Sequence, residues 1–144
     1  MKKLTEWLNE YSESHQNRVN KRIHRITAPG VFVMLVGLVW SIPPLEVIGF
    51  TVHWVWFFVA GVLVFYSKLS LTVLIMMLGL TLAASAFIWS LHILQVSIFH
   101  FSLGCLLLFW LAQFIGYKVE GVMPSLKQRL EFVLIGPVWF LYKN

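Results

Sequence analysis

The chain has 144 residues, of which 59% are hydrophobic and 12% are charged, whereas about 25% of residues are charged in soluble domains. A mean hydropathy of +0.80 would require an apolar outer surface on a soluble domain of this size, which water does not tolerate. The composition therefore predicts one integral membrane domain spanning residues 1–144. The net charge is +5, but the basic residues cluster beside apolar segments, where they set topology. We therefore do not expect nucleic-acid binding.

The chain begins with a predicted amphipathic helix over residues 4–14. Its apolar side chains recur at the i, i+3, i+4, i+7 spacing of one helical face, namely Leu4, Trp7, Leu8 and Tyr11. Such a short helix beside a bilayer is expected to lie in the membrane interface. Packing against the membrane-embedded part of the protein is the alternative.

A polar, basic stretch separates this helix from the first long apolar run. It contains two histidines and two asparagines, which are His15, Asn17, Asn20 and His24. In one straight helix, nine residues at about 100° each would turn His24 about 180° away from His15. The two rings can converge only if the helix breaks between them. Asn17 is a good N-cap, so we predict a turn over residues 16–18, after which Asn20 and His24 share a face.

Four apolar segments then predict four transmembrane helices in an all-α fold. Their approximate bounds are 27–42, 47–66, 69–91 and 95–116. The first segment is short for a hydrocarbon core of about 30 Å, and the other three are long enough to cross it. A last apolar segment, residues 132–142, is too short to cross and contains Gly136-Pro137. We expect a re-entrant or interfacial element there, within a polar tail over residues 117–144.

The positions of the basic residues predict the orientation. With four spans, all eleven Lys and Arg residues fall on the same side of the membrane. The positive-inside rule then places both termini in the cytoplasm, together with the polar region 1–25. The brevity of the chain favours a bacterial inner membrane, with the endoplasmic reticulum as the location if the protein is eukaryotic.

The inner end of the fourth span carries a second polar group. Gln113, Tyr117 and Glu120 are spaced i, i+4, i+7 and share one helical face, and Gly116 is expected to let another backbone approach closely. Glu120 could be a metal ligand, a general base or the partner of a nearby cation. Two histidines and a carboxylate are the ligands of many non-haem Fe(II) oxygenases. A hydrogen-bonded network without metal is the alternative. The other histidines fall towards the outer side, and these are His53, His92 and His100.

Two spaced motifs resemble a known family. The first, H-x-N-x-x-N-x-x-x-H-x-x-x-x-P, comprises His15, Asn17, Asn20, His24 and Pro29. The second comprises Trp110, Gln113-Phe-Ile-Gly116, Glu120-Gly121, Pro124-Ser125 and Leu134-Ile-Gly-Pro137. Together they resemble the small membrane family that includes the fungal 2-hydroxy fatty acid dioxygenase of phytosphingosine breakdown. The resemblance implies an Fe(II)-dependent α-oxidation, in which O₂ cleaves a long-chain 2-hydroxy fatty acid to a fatty acid one carbon shorter.

The resemblance also implies residue roles. His15 and His24 would hold the iron, and the catalytic candidates beside them are Gln113, Tyr117 and Glu120. The amides Asn17 and Asn20 would support the site or bind the substrate carboxylate. Independently of the resemblance, we suggest that a cation pairs with that carboxylate, and the candidates are Arg22, Arg25 and Lys118.

Tyr117 departs from the family pattern, which has histidine at this position. A phenol is a poor exchange for imidazole on Fe(II). Tyr117 is compatible with a natural variation in which Glu120 completes the site, with a member that has lost activity, or with an introduced substitution. A non-enzymatic lipid-binding or structural membrane protein is therefore the alternative function. A small transporter or channel is less favoured, because the spans contain almost no ionisable groups.

Overall fold

The computed structural model describes residues 2–142. Lys143, which the orientation prediction counts, lies outside the described residues. Within the described part, the secondary structure is helical except for one short hairpin. The elements are α1 (Leu4–Glu13), α2 (Arg18–Trp40), β1 (Leu45–Val47), β2 (Phe50–Val52), α3 (Trp54–Ser67), α4 (Leu71–Ile93), α5 (Ile98–Glu120) and α6 (Leu126–Tyr142). By length and composition, α2, α4 and α5 are the helices that can cross a membrane in this part of the chain.

The predicted second span is wrong at its start. Instead of one helix over 47–66, β1 and β2 pair in an antiparallel hairpin, with Val47 opposite Phe50. The two turn residues, Ile48 and Gly49, have φ values of 49° and 80°. Positive φ at both central residues is typical of the tight turns that suit the twist of a hairpin. As a result α3 has only 14 residues.

Two helices, α2 and α6, are longer than the apolar segments that predicted them. α2 begins at Arg18 and runs through Pro29 to Trp40, so the first apolar segment is the second half of a 23-residue helix rather than a short span. α6 likewise runs without a break through Gly136-Pro137 and begins at Leu126, before the predicted segment 132–142. A proline removes one helical hydrogen bond, but neighbouring packed elements can keep such a helix continuous.

One compact unit is formed by the two ends of the chain, residues 2–32 and 106–142. In this unit α1 packs against α6: the ring of Tyr11 lies 4.9 Å from Phe132, 5.5 Å from Trp139 and 6.2 Å from Phe140. Tyr11 is buried, and only 1% of its surface is exposed. The apolar face of α1 is therefore covered by α6. This arrangement agrees with the alternative prediction for α1, in which the helix packs against another part of the protein.

The other compact unit comprises residues 33–105. In it α3 packs on α4, and Trp40 stacks on His53 with ring centroids 5.1 Å apart. His100 is exposed and forms a 2.7 Å hydrogen bond with Ser97 Oγ. His53, His92 and His100 all belong to this unit, whereas His15 and His24 belong to the unit formed by the chain ends.

Candidate functional site

A break between α1 and α2 brings the two inner histidines together. α1 ends at Glu13 and α2 begins at Arg18, and the Oδ1 of Asn17 accepts a 2.8 Å hydrogen bond from the backbone N–H of Val19. The predicted turn and N-cap are thus confirmed. The rings of His15 and His24 lie 4.4 Å apart between centroids, at an interplanar angle of 79°.

His15 is held as a neutral imidazole. Its Nδ1 lies 2.8 Å from the backbone carbonyl oxygen of Tyr11 and 2.9 Å from the Oγ of Ser14. The Ser14 hydroxyl donates to the same carbonyl oxygen, and because that oxygen can only accept, we assign the proton of His15 to Nδ1. The ring also stacks on Tyr11, with centroids 4.0 Å apart. Burial lowers the pKa of His15 to about 4. The lone pair therefore lies on Nε2, which is buried and has no hydrogen-bond partner.

His24 has the same arrangement on α2. Its Nδ1 lies 3.2 Å from the backbone carbonyl oxygen of Asn20, and its Nε2 is also buried without a partner. Buried polar atoms without partners are rare in proteins. A histidine that donates from one ring nitrogen to a carbonyl and offers the other as a lone pair is typical of metal ligands. Two such rings at this separation can reach one ion.

Gly116 makes room for this pair. A Cβ at position 116 would lie 2.5 Å from Asn20 Oδ1 and 3.2 Å from His24 Cε1. The expected close approach at this glycine is present, but the neighbours are side chains of α2 and not another backbone. One position further along α5, the buried ring of Tyr117 lies 4.8 Å from His24 and 5.7 Å from His15.

Glu120 ties the end of α5 to the start of α2. Its carboxylate accepts hydrogen bonds from the backbone N–H groups of Gln16 (2.8 Å) and Asn17 (2.9 Å) and from Nδ2 of Asn20 (2.9 Å). Among residues 2–142 no ion pair includes Glu120. The carboxylate thus satisfies donors at the N-terminus of a helix, where negative charge is favoured, instead of pairing with a cation.

The two histidines fit a metal ion, but a complete triad is not present. Across residues 2–142 no three His, Cys, Asp or Glu side chains are placed to hold a metal ion together. Tyr117 borders both rings, at the position where the resemblance led us to expect histidine. The donor set in this part of the chain is therefore a pair of imidazole nitrogens beside a phenol.

Two adjoining cavities border this site. The smaller has a volume of about 10 Å³, which is room for about one water-sized occupant. It is lined by Tyr11, His24, Ala28, Val31, Gln113, Tyr117, Arg129, Phe132 and Val133. The larger is an open groove between α5 and α6 of about 330 Å³, lined by Trp110, Gln113, Phe114, Tyr117, Leu126, Arg129, Leu130 and Val133. Gln113 is half-buried and lines both cavities.

None of the three predicted substrate-binding cations lines either cavity. Arg22, Arg25 and Lys118 are exposed, and the Nζ of Lys118 lies over the ring of Phe114, 5.0 Å from its centroid. Arg129, which sequence reasoning missed, lines both cavities. A signal was available, because Arg129 is spaced i, i+3, i+7 with Phe132 and Gly136 on the buried face of α6.

The protein is helical, and three of its described helices are long enough to span a membrane. Among these apolar elements lies a polar site with two buried histidines whose Nε2 atoms have no hydrogen-bond partner. The chain belongs to the Mpo1-like family, described as 2-hydroxy-palmitic acid dioxygenase Mpo1-like, whose family model matches residues 1–143. The resemblance drawn from the two motifs is therefore confirmed. No curated protein and no solved structure gives a significant match to the chain.

Proposed function

We propose that this protein is a membrane-embedded, Fe(II)-dependent dioxygenase that shortens 2-hydroxy fatty acids by one carbon. The observation that carries the proposal is the pair of buried, unpartnered Nε2 atoms on His15 and His24. The family name supplies the substrate class, a 2-hydroxy fatty acid. The neutral state of His15 supports the proposal further, since a ring must be unprotonated to bind a metal.

In this function each residue of the site has a separate task. The carbonyl bonds at Nδ1 orient the two rings, and Glu120 holds the turn that carries His15 against α5. Bound Fe(II) would supply the open coordination positions at which O₂ and the 2-hydroxy acid meet. Cleavage of the C1–C2 bond would release C1 as CO₂ and leave C2 as the carboxyl carbon of the shorter acid, so that the 2-hydroxy acid and O₂ give the shorter acid, CO₂ and H₂O.

The membrane arrangement forms part of the proposal. α2, α4 and α5 would cross the bilayer, and α3 would form the fourth span with both termini in the cytoplasm. A helix of 14 residues covers about 21 Å at 1.5 Å per residue, so α3 would need a locally thinned bilayer. We place the protein in a bacterial inner membrane, or in the endoplasmic reticulum if it is eukaryotic.

A second candidate is a disabled family member that binds lipid without oxidising it. It is favoured by one observation: Tyr117 stands beside the histidines, and residues 2–142 hold no third ligand of the usual kinds. In this reading the histidines and Glu120 form a structural network.

Metal content distinguishes the two candidates. The purified protein is loaded with Fe(II) without oxygen, desalted, and analysed for iron by mass spectrometry. The dioxygenase proposal expects about one iron per chain, lost in His15→Ala and His24→Ala and kept in His100→Ala, a matched control at an exposed histidine. No iron in the native protein, with iron in Tyr117→His, would establish the disabled member.

Activity is then measured with 2-hydroxypalmitic acid in air. The expected product is the fatty acid one carbon shorter, detected by mass spectrometry, with dependence on both histidines. A protein that binds iron through both histidines but forms no such product would refute the proposed reaction and leave the metal site standing.

A further inference from the structure

We infer that Arg129 binds the carboxylate of the substrate and that the groove between α5 and α6 holds its acyl chain. This inference rests on the proposed function and adds the residue that positions the substrate. The cations suggested by the sequence lie elsewhere on the surface, so the carboxylate requires another partner.

Arg129 is a cation without a partner in the surroundings described. Its Nε is buried and makes no hydrogen bond, and no ion pair among residues 2–142 includes it. A guanidinium presents five N–H donors in a planar fork, and burying even one of them without a partner is costly. Arg129 as a whole is half-buried, and its Nε is the donor that is shielded from solvent. A carboxylate satisfies this fork with two parallel hydrogen bonds. The missing partner of Arg129 is thus most simply an anion with carboxylate geometry.

The groove beside Arg129 suits an alkyl chain. Its volume of about 330 Å³ lies at the lower end of the range for small-molecule sites, roughly 300–1,000 Å³. Most of its wall is apolar, formed by Trp110, Phe114, Leu126, Leu130 and Val133. One cation within an apolar groove is complementary to a ligand with one negative head and one apolar tail. We commit to a free fatty acid, because an isolated guanidinium matches a single carboxylate.

The position of Arg129 also gives the ligand a direction. Gln113, Tyr117, Arg129 and Val133 line both the groove and the small cavity that contains His24. A carboxylate on Arg129 therefore lies where the two cavities adjoin. The tail then extends along the groove, so the carboxyl end of the acid, with C1 and C2, is the end nearest the cavity that His24 lines. This is the end of the acid at which α-oxidation acts.

Photo-crosslinking tests this inference without any need for activity. The full chain in phosphatidylcholine nanodiscs is exposed to palmitic acid with a diazirine in its chain, and labelled peptides are identified by mass spectrometry. We expect labels on the walls of the groove, displaced by unlabelled 2-hydroxypalmitic acid. In Arg129→Gln the displacing affinity should fall about 10- to 100-fold, the range for hydrogen bonds to charged groups.

Three controls make the result decisive. Lys127→Gln removes an exposed cation from the same helix and should leave labelling unchanged. Arg129→Lys keeps the charge but loses the fork, and should label at an intermediate level. Hexadecanol with the same diazirine has no carboxylate, and its labelling should not depend on Arg129. Circular dichroism confirms that each variant is folded.

The inference is overturned if the acid and the alcohol label the groove equally in the native chain and in Arg129→Gln, because the groove then holds ordinary bilayer lipid. It is also overturned if folded Arg129→Gln binds the acid with native affinity. Neither result depends on iron, so the proposed dioxygenase could survive the loss of this inference. Acid-specific labelling in a protein that binds no iron would instead support Arg129 and refute the dioxygenase.

Discussion

Replacing Gly116 with alanine should damage the histidine site while leaving the rest of α5 intact. The new Cβ would lie 2.5 Å from Asn20 Oδ1 and 3.2 Å from His24 Cε1, and the first distance is too short for any real contact. Asn20 cannot turn away freely, because its Nδ2 donates to Glu120 at 2.9 Å and to the Ser14 carbonyl oxygen at 3.3 Å. The methyl group must therefore move α2, His24 or both.

The expected magnitude follows from a matched substitution on the same helix. At Gly104 nothing lies within 4 Å of an added Cβ, so Gly104→Ala should stabilise the helix by about 0.5–1 kcal/mol. Gly116→Ala gains the same helix propensity but incurs overpacking, which costs about 1–3 kcal/mol in a packed core. The difference between the two variants isolates the steric effect of about 1–3 kcal/mol.

Equilibrium unfolding in mixed detergent micelles, followed by circular dichroism, measures both variants. Iron binding is determined in parallel, and Gly116→Ala should bind more weakly than Gly104→Ala. Equal unfolding free energies and equal iron binding for the two variants would refute the packing of α2 on α5 described for this site.

Three further predictions concern the same region. Glu120→Gln should lower the free energy of unfolding by about 1–3 kcal/mol, because two backbone donors and Asn20 lose a charged acceptor; an unchanged value would remove Glu120 as the link between α2 and α5. Gly121 has φ of 80°, so Gly121→Ala should cost about 1–2 kcal/mol, whereas Gly121→Asn, which tolerates this conformation, should cost less; equal costs would argue against a left-handed backbone there. Fe(II) at 100 times its dissociation constant should stabilise the native chain by about 2.7 kcal/mol and should not stabilise His24→Ala; equal stabilisation of both in a thermal unfolding assay would place the metal elsewhere.

Residue spacing and helix geometry predicted much of the histidine site. The spacing of His15 and His24 required a break, and Asn17 was the residue able to cap what followed. Helical spacing also placed Tyr117 and Glu120 on one face of α5. These properties depend on neighbours within two helical turns, which a sequence pattern contains directly.

The sequence-based predictions missed the roles of residues whose contacts are distant along the chain. The carboxylate of Glu120 accepts hydrogen bonds from residues more than 100 positions earlier, and no local pattern distinguishes that role from an ion pair. Arg129 looked like one of several basic residues in a polar tail. Its place beside both cavities depends on how α6 packs.

The sequence alone determined the apolar helical class, the family, and the two histidines as a pair, because hydropathy, motif spacing and helix geometry are local properties. Tertiary structure decided that residues 45–52 form a hairpin, that α1 is covered by α6, and that Arg129 rather than Arg22, Arg25 or Lys118 faces the site. Each of these depends on which surfaces meet after folding. A half-buried arginine with an unpartnered Nε, or an unpartnered ring nitrogen, can be identified only when every neighbouring element is in place.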